Sequence, residues 1–193
     1  MTAVLRAASV FLAFAGSIFA QHLDFGFDFG VKGGVPFTEV LEAVGVLPPL
    51  TSLKTSSDYL IGPVAELRIP FGFAVEVDGI YRKAQYNLTI NNVTTTVNAS
   101  AWEIPYLGKF RFPIPLLKPF VSAGGAYRTF TNLPNNATPT HNAFVMAGGL
   151  ELRISKLRLS GEARWLHWNS SSNNVNPLKL VQNQGEVLFG LVF

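Results

Sequence analysis

Hydrophobic and polar residues alternate along most of this chain. In residues 23–32, LDFGFDFGVK, every second position is apolar and the positions between are Asp, Gly or Lys. Successive side chains of a β-strand point to opposite faces, so this pattern predicts a strand with one apolar face and one polar or bare face. Taken alone, it does not indicate which of the two faces is inside.

The alternation recurs often enough to predict an all-β protein. We identify eight segments of period two, each bounded by turn or loop residues. They are roughly 23–35, 58–69, 72–86, 101–112, 118–130, 143–154, 157–168 and 182–193. No segment predicts a long helix, although a short helix over 38–45 (TEVLEAVG) is compatible with the sequence of the first loop.

The connections between these segments alternate in length. Those after the second, fourth and sixth segments are short, and those after the first, third, fifth and seventh are long, at about 36–57, 87–100, 131–142 and 169–181. Short turns at one end and long loops at the other are typical of transmembrane β-barrels. The pattern therefore predicts an eight-stranded antiparallel up-and-down barrel.

The charged residues distinguish between two kinds of barrel. A soluble lipocalin-like barrel turns its apolar face inward, whereas an outer-membrane barrel turns it outward. The polar faces carry nine acids and nine bases, namely Asp24, Asp28, Glu66, Glu76, Asp78, Glu103, Glu151, Glu162 and Glu186 against Lys32, Arg68, Arg82, Lys109, Arg111, Arg128, Arg153, Arg158 and Arg164. An enclosed lumen needs such balance, because an unpaired buried charge is costly and arginine pairs well with carboxylates. We therefore expect the polar face inside, with Gly26, Gly30, Gly62, Gly124 and Ala126 leaving room there.

Both ends of the chain carry export and assembly features. The start, MTAVLRAASVFLAFAGSIFAQ, has one base, an apolar stretch and a small residue before Gln21, which predicts a cleaved signal peptide over 1–20 and a barrel domain over 21–193. The last strand, GEVLFGLVF, ends on Phe193 and resembles the assembly signal of bacterial outer-membrane proteins. We expect this strand to engage the barrel-assembly machinery.

Composition fits the same interpretation. Charged residues make up 14% of the chain, against about 25% in typical soluble proteins, although no long apolar span follows the N-terminal segment. The pI is near 9.3, but the bases are scattered singly, so nucleic acid is not an expected partner. There is no cysteine for a disulfide, a thiolate metal site or a nucleophile.

Several segments resemble the small eight-stranded outer-membrane β-barrel family of OmpA-like and OmpX-like barrels. They are IGPVAELRIPFGFAVEVDGIYRK (61–83), WEIPYLGKFRF (102–112), LKPFVSAGGAYR (117–128), LSGEARWLHWN (159–169) and NQGEVLFGLVF (183–193). The resemblance implies a monomeric barrel in the outer membrane of a Gram-negative bacterium, in contact with outer-membrane lipid and lipopolysaccharide. It specifies the architecture and leaves the activity open.

Candidate chemistry is sparse. The run His167-Trp168-Asn169-Ser170 partly resembles the His-x-Ser-Asn motif of an outer-membrane lipid A deacylase, but Asn169 stands where the serine should be and Glu186 falls on the lumen face. The alternative interpretation places Trp165, His167 and Trp168 in the aromatic girdle at the membrane interface. His22 and His141 have no ligand partners at metal-binding spacing. We predict no catalytic, cofactor-binding or metal-binding residues.

Specific function is expected to lie in the long loops. The first, residues 37–57, has Phe37, Val40, Leu41 and Val44 at helical spacing, so it could pack on the barrel mouth or form a partner surface. The sequence favours a structural or surface-binding membrane protein with a filled lumen. The alternatives left open are a lipid A-modifying enzyme and a soluble periplasmic ligand-binding barrel.

Overall fold

The described part of the chain is almost entirely β-strand. The computed structural model describes residues 25–37, 41–43, 50–90, 93–131, 141–169 and 178–193. Its strands are β1 (Gly26–Pro36), β2 (Leu41–Ala43), β3 (Leu50–Arg68), β4 (Phe73–Asp78), β5 (Ile80–Ile90), β6 (Val93–Arg111), β7 (Leu117–Thr131), β8 (Asn142–Ile154), β9 (Leu157–Trp168), β10 (Leu178–Leu180) and β11 (Asn183–Val192). The predicted signal peptide, His22 and Asp24 lie outside the described residues.

The strands close into an eight-stranded antiparallel barrel. Each barrel strand pairs with the next along the chain, and β4 and β5 together form the third barrel strand. Strand β1 pairs with β3 on one side and with β11 on the other, which closes the cylinder. At this seam the Phe193 amide donates to the Phe29 carbonyl at 2.8 Å. The predicted up-and-down topology is confirmed.

The predicted third segment is interrupted at Gly79, between β4 and β5. The Gly79 amide donates to the Pro63 carbonyl of β3 at 2.9 Å, and a Cβ on Gly62 would collide with the Gly79 carbonyl oxygen. A glycine within a strand often marks such a bend, where another backbone approaches closely. The alternation survives the interruption, which is why the sequence pattern appears continuous there.

Three expectations for the long-loop side are wrong, the first being that residues 50–57 lie in a loop, since they belong to β3. Residues 87–90 and 93–100 belong to β5 and β6, which form a hairpin that pairs from Ile80↔Glu103 up to Ile90↔Val93. Residues 41–43, within the segment whose sequence is compatible with a short helix, form β2 instead and pair with β10. The Asn- and Thr-rich composition favoured a loop, and the paired backbone of a neighbouring strand overrides that local preference.

The short turns lie where the sequence places them. A 3₁₀ turn over Pro70–Gly72 connects β3 to β4, residues 112–116 connect β6 to β7, and Ser155 and Lys156 connect β8 to β9. Phe71, Leu116 and Ser155 all have positive φ, which tight reversals of this kind require. We call this the short-turn end, and the opposite one the long-loop end.

The apolar face of each strand points outward. In β1 and just before it, Phe25, Phe27 and Phe29 are 69%, 58% and 59% exposed, whereas Lys32 is only 2% exposed. The alternation of exposed apolar and buried polar residues continues around the barrel, so the expected orientation is confirmed. No helix in the described ranges is long and apolar enough to span a membrane.

Candidate functional site

The barrel lumen is the most chemically distinctive part of the molecule, because it is filled with charged side chains. Sixteen residues form three tiers of ion pairs along the barrel axis, and eight of them are acids and eight are bases. The balance predicted from the sequence is therefore physically realised as direct pairing. Each tier contains equal numbers of carboxylates and cations.

The short-turn tier joins five barrel strands, β1, β3, β6, β8 and β9. It consists of Asp28, Glu66, Glu151, Arg68, Arg111 and Arg158. Arg158 is its centre, donating to Asp28 at 2.6 Å and to Glu66 at 2.8 Å. The Arg111 Nε donates to both carboxylate oxygens of Glu151, at 3.0 and 3.2 Å. Charge-assisted contacts of this kind fix the relative positions of strands that are not neighbours.

The middle tier surrounds a buried lysine. It consists of Glu76, Asp78, Glu162, Lys32, Lys109 and Arg164. The Lys32 Nζ lies 2.5 Å from Glu76, 3.0 Å from Glu162 and 3.3 Å from Asp78. Lys109 also pairs with Glu76, and it reaches down to Glu66 at 3.2 Å, which links this tier to the one below. The network is thus continuous along the lumen.

The long-loop tier combines two ion pairs with a neutral side chain, Gln184, that both cations share. Glu103 and Glu186 face Arg82 and Arg128, and Arg128 donates to Glu103 at 2.6 Å. The Gln184 side-chain oxygen accepts hydrogen bonds from Arg128 at 2.6 Å and Arg82 at 3.3 Å. Gln184 is not among the predicted lumen residues, although its parity with Glu186 places it on the lumen face.

The placement of Trp168 in the aromatic girdle is wrong. Trp168 is 1% exposed, its Nε1 donates to Gln184 at 3.1 Å, and its ring stacks against the Arg128 guanidinium. Trp165 and His167 do lie on the outer face, where their rings stack at a centroid distance of 5.8 Å. Strand parity separates residue 168 from 165 and 167, so period two was the signal that could have corrected the assignment.

Two predicted lumen bases behave differently from the rest. Arg153 has the expected parity but stands at the end of β8, where it is exposed and donates to the Ser155 carbonyl at 3.2 Å. It therefore lies beyond the enclosed part of the lumen. Arg68 is partly exposed at the same end and pairs with Asp28 at 2.6 Å. The predicted lumen residue Asp24 lies outside the described residues.

The small residues on the lumen face leave room where neighbouring atoms approach closely, as the sequence predicts. A Cβ on Gly26 would collide with the Arg68 guanidinium, so the absence of a side chain makes room for that cation. A Cβ on Gly30 or Gly124 would collide with a carbonyl oxygen of the neighbouring strand. Ala126 is fully buried. The narrow, strongly coiled wall therefore depends on glycine at specific positions.

His167 has no acid partner among the described residues. Its Nδ1 lies 2.8 Å from the Asn183 side-chain oxygen, whereas Glu186 points into the lumen and binds Arg82 at 3.1 Å. His141 Nδ1 lies 2.7 Å from the Arg128 carbonyl. In the described ranges, no group of three or more His, Cys, Asp and Glu side chains is arranged to hold a metal ion.

The tiers occupy the axis of a barrel that is only wide enough for its own side chains. Removing one charged side chain from such a network leaves its partner as an uncompensated buried charge, which lowers the free energy of unfolding by about 3–5 kcal/mol. The ion-pair network therefore stabilises the barrel from inside and obstructs the passage of solutes along the lumen. Its buried side chains include charged members of all three tiers, whereas a ligand-carrying soluble barrel has a mainly apolar pocket.

Comparison with known proteins supports the fold. No protein-family model matches the chain, and no curated protein matches its sequence. Among solved structures, it is similar to the outer membrane protein OprG from Pseudomonas aeruginosa, with 15% identity, a TM-score of 0.57 and coverage of 90% of this chain and 97% of that one. It is also similar to Neisserial surface protein A, with 14% identity, a TM-score of 0.54 and coverage of 86% and 95%. The chain therefore has the fold of the small eight-stranded outer-membrane β-barrels.

Proposed function

We propose that this protein is an integral barrel of a Gram-negative outer membrane, with a structural or surface-binding role and no catalytic activity. The observation that carries the proposal is the inverted distribution of side chains. The described strands bury their charged residues and expose large apolar ones on the outer wall. In water each exposed apolar side chain would cost about 1.5–3 kcal/mol relative to burial, so the wall requires an apolar solvent.

The same distribution argues against the soluble alternative. A lipocalin-like barrel needs an apolar interior to hold its ligand and a polar exterior to stay in solution. Here Lys32, Glu76 and Arg164 occupy the centre of the lumen, whereas Phe27, Phe29 and Val31 lie on the outside. The arrangement suits outer-membrane lipid and lipopolysaccharide as the surrounding partners.

A non-catalytic role is supported by the surroundings of the candidate histidine. On the outer wall His167 is held by Asn183 and stacks on Trp165, an arrangement suited to an interfacial aromatic girdle. A serine nucleophile needs a base that is itself oriented by an acid, and the described residues around His167 supply an amide in that place. The deacylase-like alternative therefore lacks a supporting observation.

A monomeric barrel is the simplest assembly for this sheet. Strands β1 and β11 pair with each other and with their other neighbours, so the barrel closes without a free edge. We propose that β11, which leads to Phe193 on the outer wall, is the strand that the barrel-assembly machinery recognises. This part of the proposal rests on the resemblance to bacterial assembly signals.

Surface binding is assigned to the long-loop end. There the β5–β6 hairpin extends the sheet, and residues 84–101 contain no charged side chain. Paired strands give such a surface a defined backbone, and loops carried on a rigid scaffold are the usual location of binding function. The short turns at the other end leave less surface for recognition.

The proposal is tested by fractionation and by gel mobility. Expressed with its full sequence in a Gram-negative host, the protein should pellet with outer membranes and resist extraction by alkaline carbonate. A folded barrel should also migrate differently in unboiled and boiled samples, because its strands close on themselves. Soluble material without a mobility shift would contradict the proposal.

A further inference from the structure

The short-turn mouth of the barrel contains a cavity that the lumen network leaves open. The cavity has a volume of about 100 Å³ and lies beneath the turn at Pro70–Gly72 and the turn that begins at Phe112. Its charged lining consists of Arg68, Arg111, Lys118, Arg153, Arg158 and Glu151. Five cations and one carboxylate therefore face one small space.

The short-turn tier already satisfies three of these cations. Arg68, Arg111 and Arg158 are matched by the carboxylates of Asp28, Glu66 and Glu151. Lys118 and Arg153 remain as an excess of two positive charges. Lys118 stands directly opposite Glu151 in the sheet register, yet Glu151 pairs with Arg111 and Arg158 instead.

The backbone register adds a second, independent signal. Arg153 of β8 and Arg158 of β9 are direct cross-strand partners, and like charges in that position are destabilising. Arg158 pairs with Asp28 in the lumen, whereas Arg153 donates to the Ser155 carbonyl. In the described part of the chain, neither Arg153 nor Lys118 has a carboxylate partner. An anion bound between Arg153 and Lys118 would offset the repulsion between Arg153 and Arg158.

We propose that this cavity binds a phosphate group. Inorganic phosphate or a phosphate monoester, of charge about −1.5 to −2, matches the excess of two cations, and the phosphodiester of a lipid headgroup offsets one of them. Arginine binds phosphate oxygens in a forked geometry. The group could belong to a lipid headgroup or to a soluble anion. Large apolar side chains at the adjoining turns, Phe71, Ile114 and Leu116, are exposed and suit the lipid source.

The test uses the refolded full barrel in maltoside micelles, which contain no phosphate, at low ionic strength. Isothermal titration calorimetry with inorganic phosphate should give saturable binding of one anion per barrel. The double variant Lys118→Gln/Arg153→Gln should bind at least tenfold more weakly. A matched control, Lys83→Gln/Lys156→Gln, removes the same charge outside the cavity and should stay within twofold of the unmodified protein.

Equal weakening in both double variants, or no saturable binding in the unmodified protein, would overturn the proposal. The difference in mobility between unboiled and boiled samples verifies that each variant is folded. Asp24→Asn should bind phosphate at least as tightly as the unmodified chain. If Asp24→Asn binds phosphate and the unmodified protein does not, the Asp24 carboxylate itself occupies the cavity and the proposal fails.

A competition experiment distinguishes the two sources of phosphate. Short-chain phosphatidylglycerol is added to the phosphate-saturated barrel, with short-chain phosphatidylcholine as the zwitterionic control. Displacement by phosphatidylglycerol assigns the site to an anionic lipid headgroup. Retention of phosphate in the presence of both lipids assigns it to a soluble anion.

Discussion

The guanidinium carbon of Arg128 lies 3.6 Å from the centroid of the Trp168 ring, inside the barrel at its long-loop end. The same guanidinium donates to Glu103 and Gln184, so the ring, the cation and the carboxylate form one packed unit. A desolvated cation–π pair contributes about 2 kcal/mol beyond the apolar area that it buries. This unit explains why an aromatic residue can lie among charges without leaving them unpaired.

Trp168→Ala should therefore destabilise the barrel by about 3–5 kcal/mol, through the cavity it creates and the loss of the cation–π contact. The matched variant Trp165→Ala changes the same residue type on the same strand, but its ring lies on the outer wall. We expect a clearly smaller loss for Trp165→Ala. Urea unfolding of the refolded protein, followed by gel mobility, measures both, and equal losses would contradict the inward assignment of Trp168.

Lys32→Met should be strongly destabilising, because it removes the cation that three carboxylates share. The expected loss is about 3–5 kcal/mol in the free energy of unfolding. Lys156→Met, in an exposed turn, should change it by less than about 0.5 kcal/mol.

The double variant Lys32→Met/Glu162→Gln supplies an internal control for that effect. Neutralising Glu162, one of the carboxylates that Lys32→Met leaves without this cation, should recover part of the stability lost in Lys32→Met. Urea midpoints for the single and double variants give the coupling. A double variant that loses the full sum of both single effects would show that the two groups do not interact.

Gly124→Ala tests the close approach of β7 to its neighbour. The added methyl group would collide with the Tyr106 carbonyl oxygen, so we expect a loss of about 1–3 kcal/mol from overpacking. Gly108→Ala is the matched control on the paired strand, since its nearest neighbour, the Ala123 carbonyl oxygen, would be 3.7 Å away. Urea unfolding should separate the two variants, and similar values would show that the wall is more adaptable than this geometry indicates.

The three tiers should also make the barrel impermeable to small solutes. Reconstituted into liposomes, the protein should give swelling rates in small sugars close to those of protein-free liposomes. A general diffusion porin at equal mass serves as the positive control. Swelling comparable to that control would contradict a lumen held closed by the tiers.

The sequence predicted the wall and the lumen because both follow from period two. Once Phe193 and the balanced charges indicated the outward face, parity placed residues such as Lys32, Glu76 and Arg164 inside, and the structure confirms this. Their individual partners could not be predicted, because they depend on sheet stagger. Lys32 of β1 contacts Glu162 of β9, a residue 130 positions away, past the intervening strand β11.

The predictions fail where residue type conflicts with strand parity or pairing. Both Trp165 and Trp168 are of a residue type that is typical of an interfacial girdle, but they have opposite parity. The Asn- and Thr-rich composition of 87–100 favours a loop, but the partner strand supplies hydrogen bonds that composition does not reveal. Similarly, β2 forms because β10 lies beside it, which is a long-range pairing without a local signal.

The most direct test of the central claim uses the three tryptophans as depth and side markers. Trp102 and Trp165 lie on the outer wall, 44% and 42% exposed, whereas Trp168 lies in the lumen, 1% exposed. Three variants, each keeping one tryptophan and carrying phenylalanine at the other two positions, are refolded into vesicles of lipids with brominated acyl chains. Our account predicts strong fluorescence quenching for the variants that keep Trp102 or Trp165, and little for the one that keeps Trp168. Quenching of Trp168 alone, or of none of the three, would contradict a barrel whose apolar wall faces lipid.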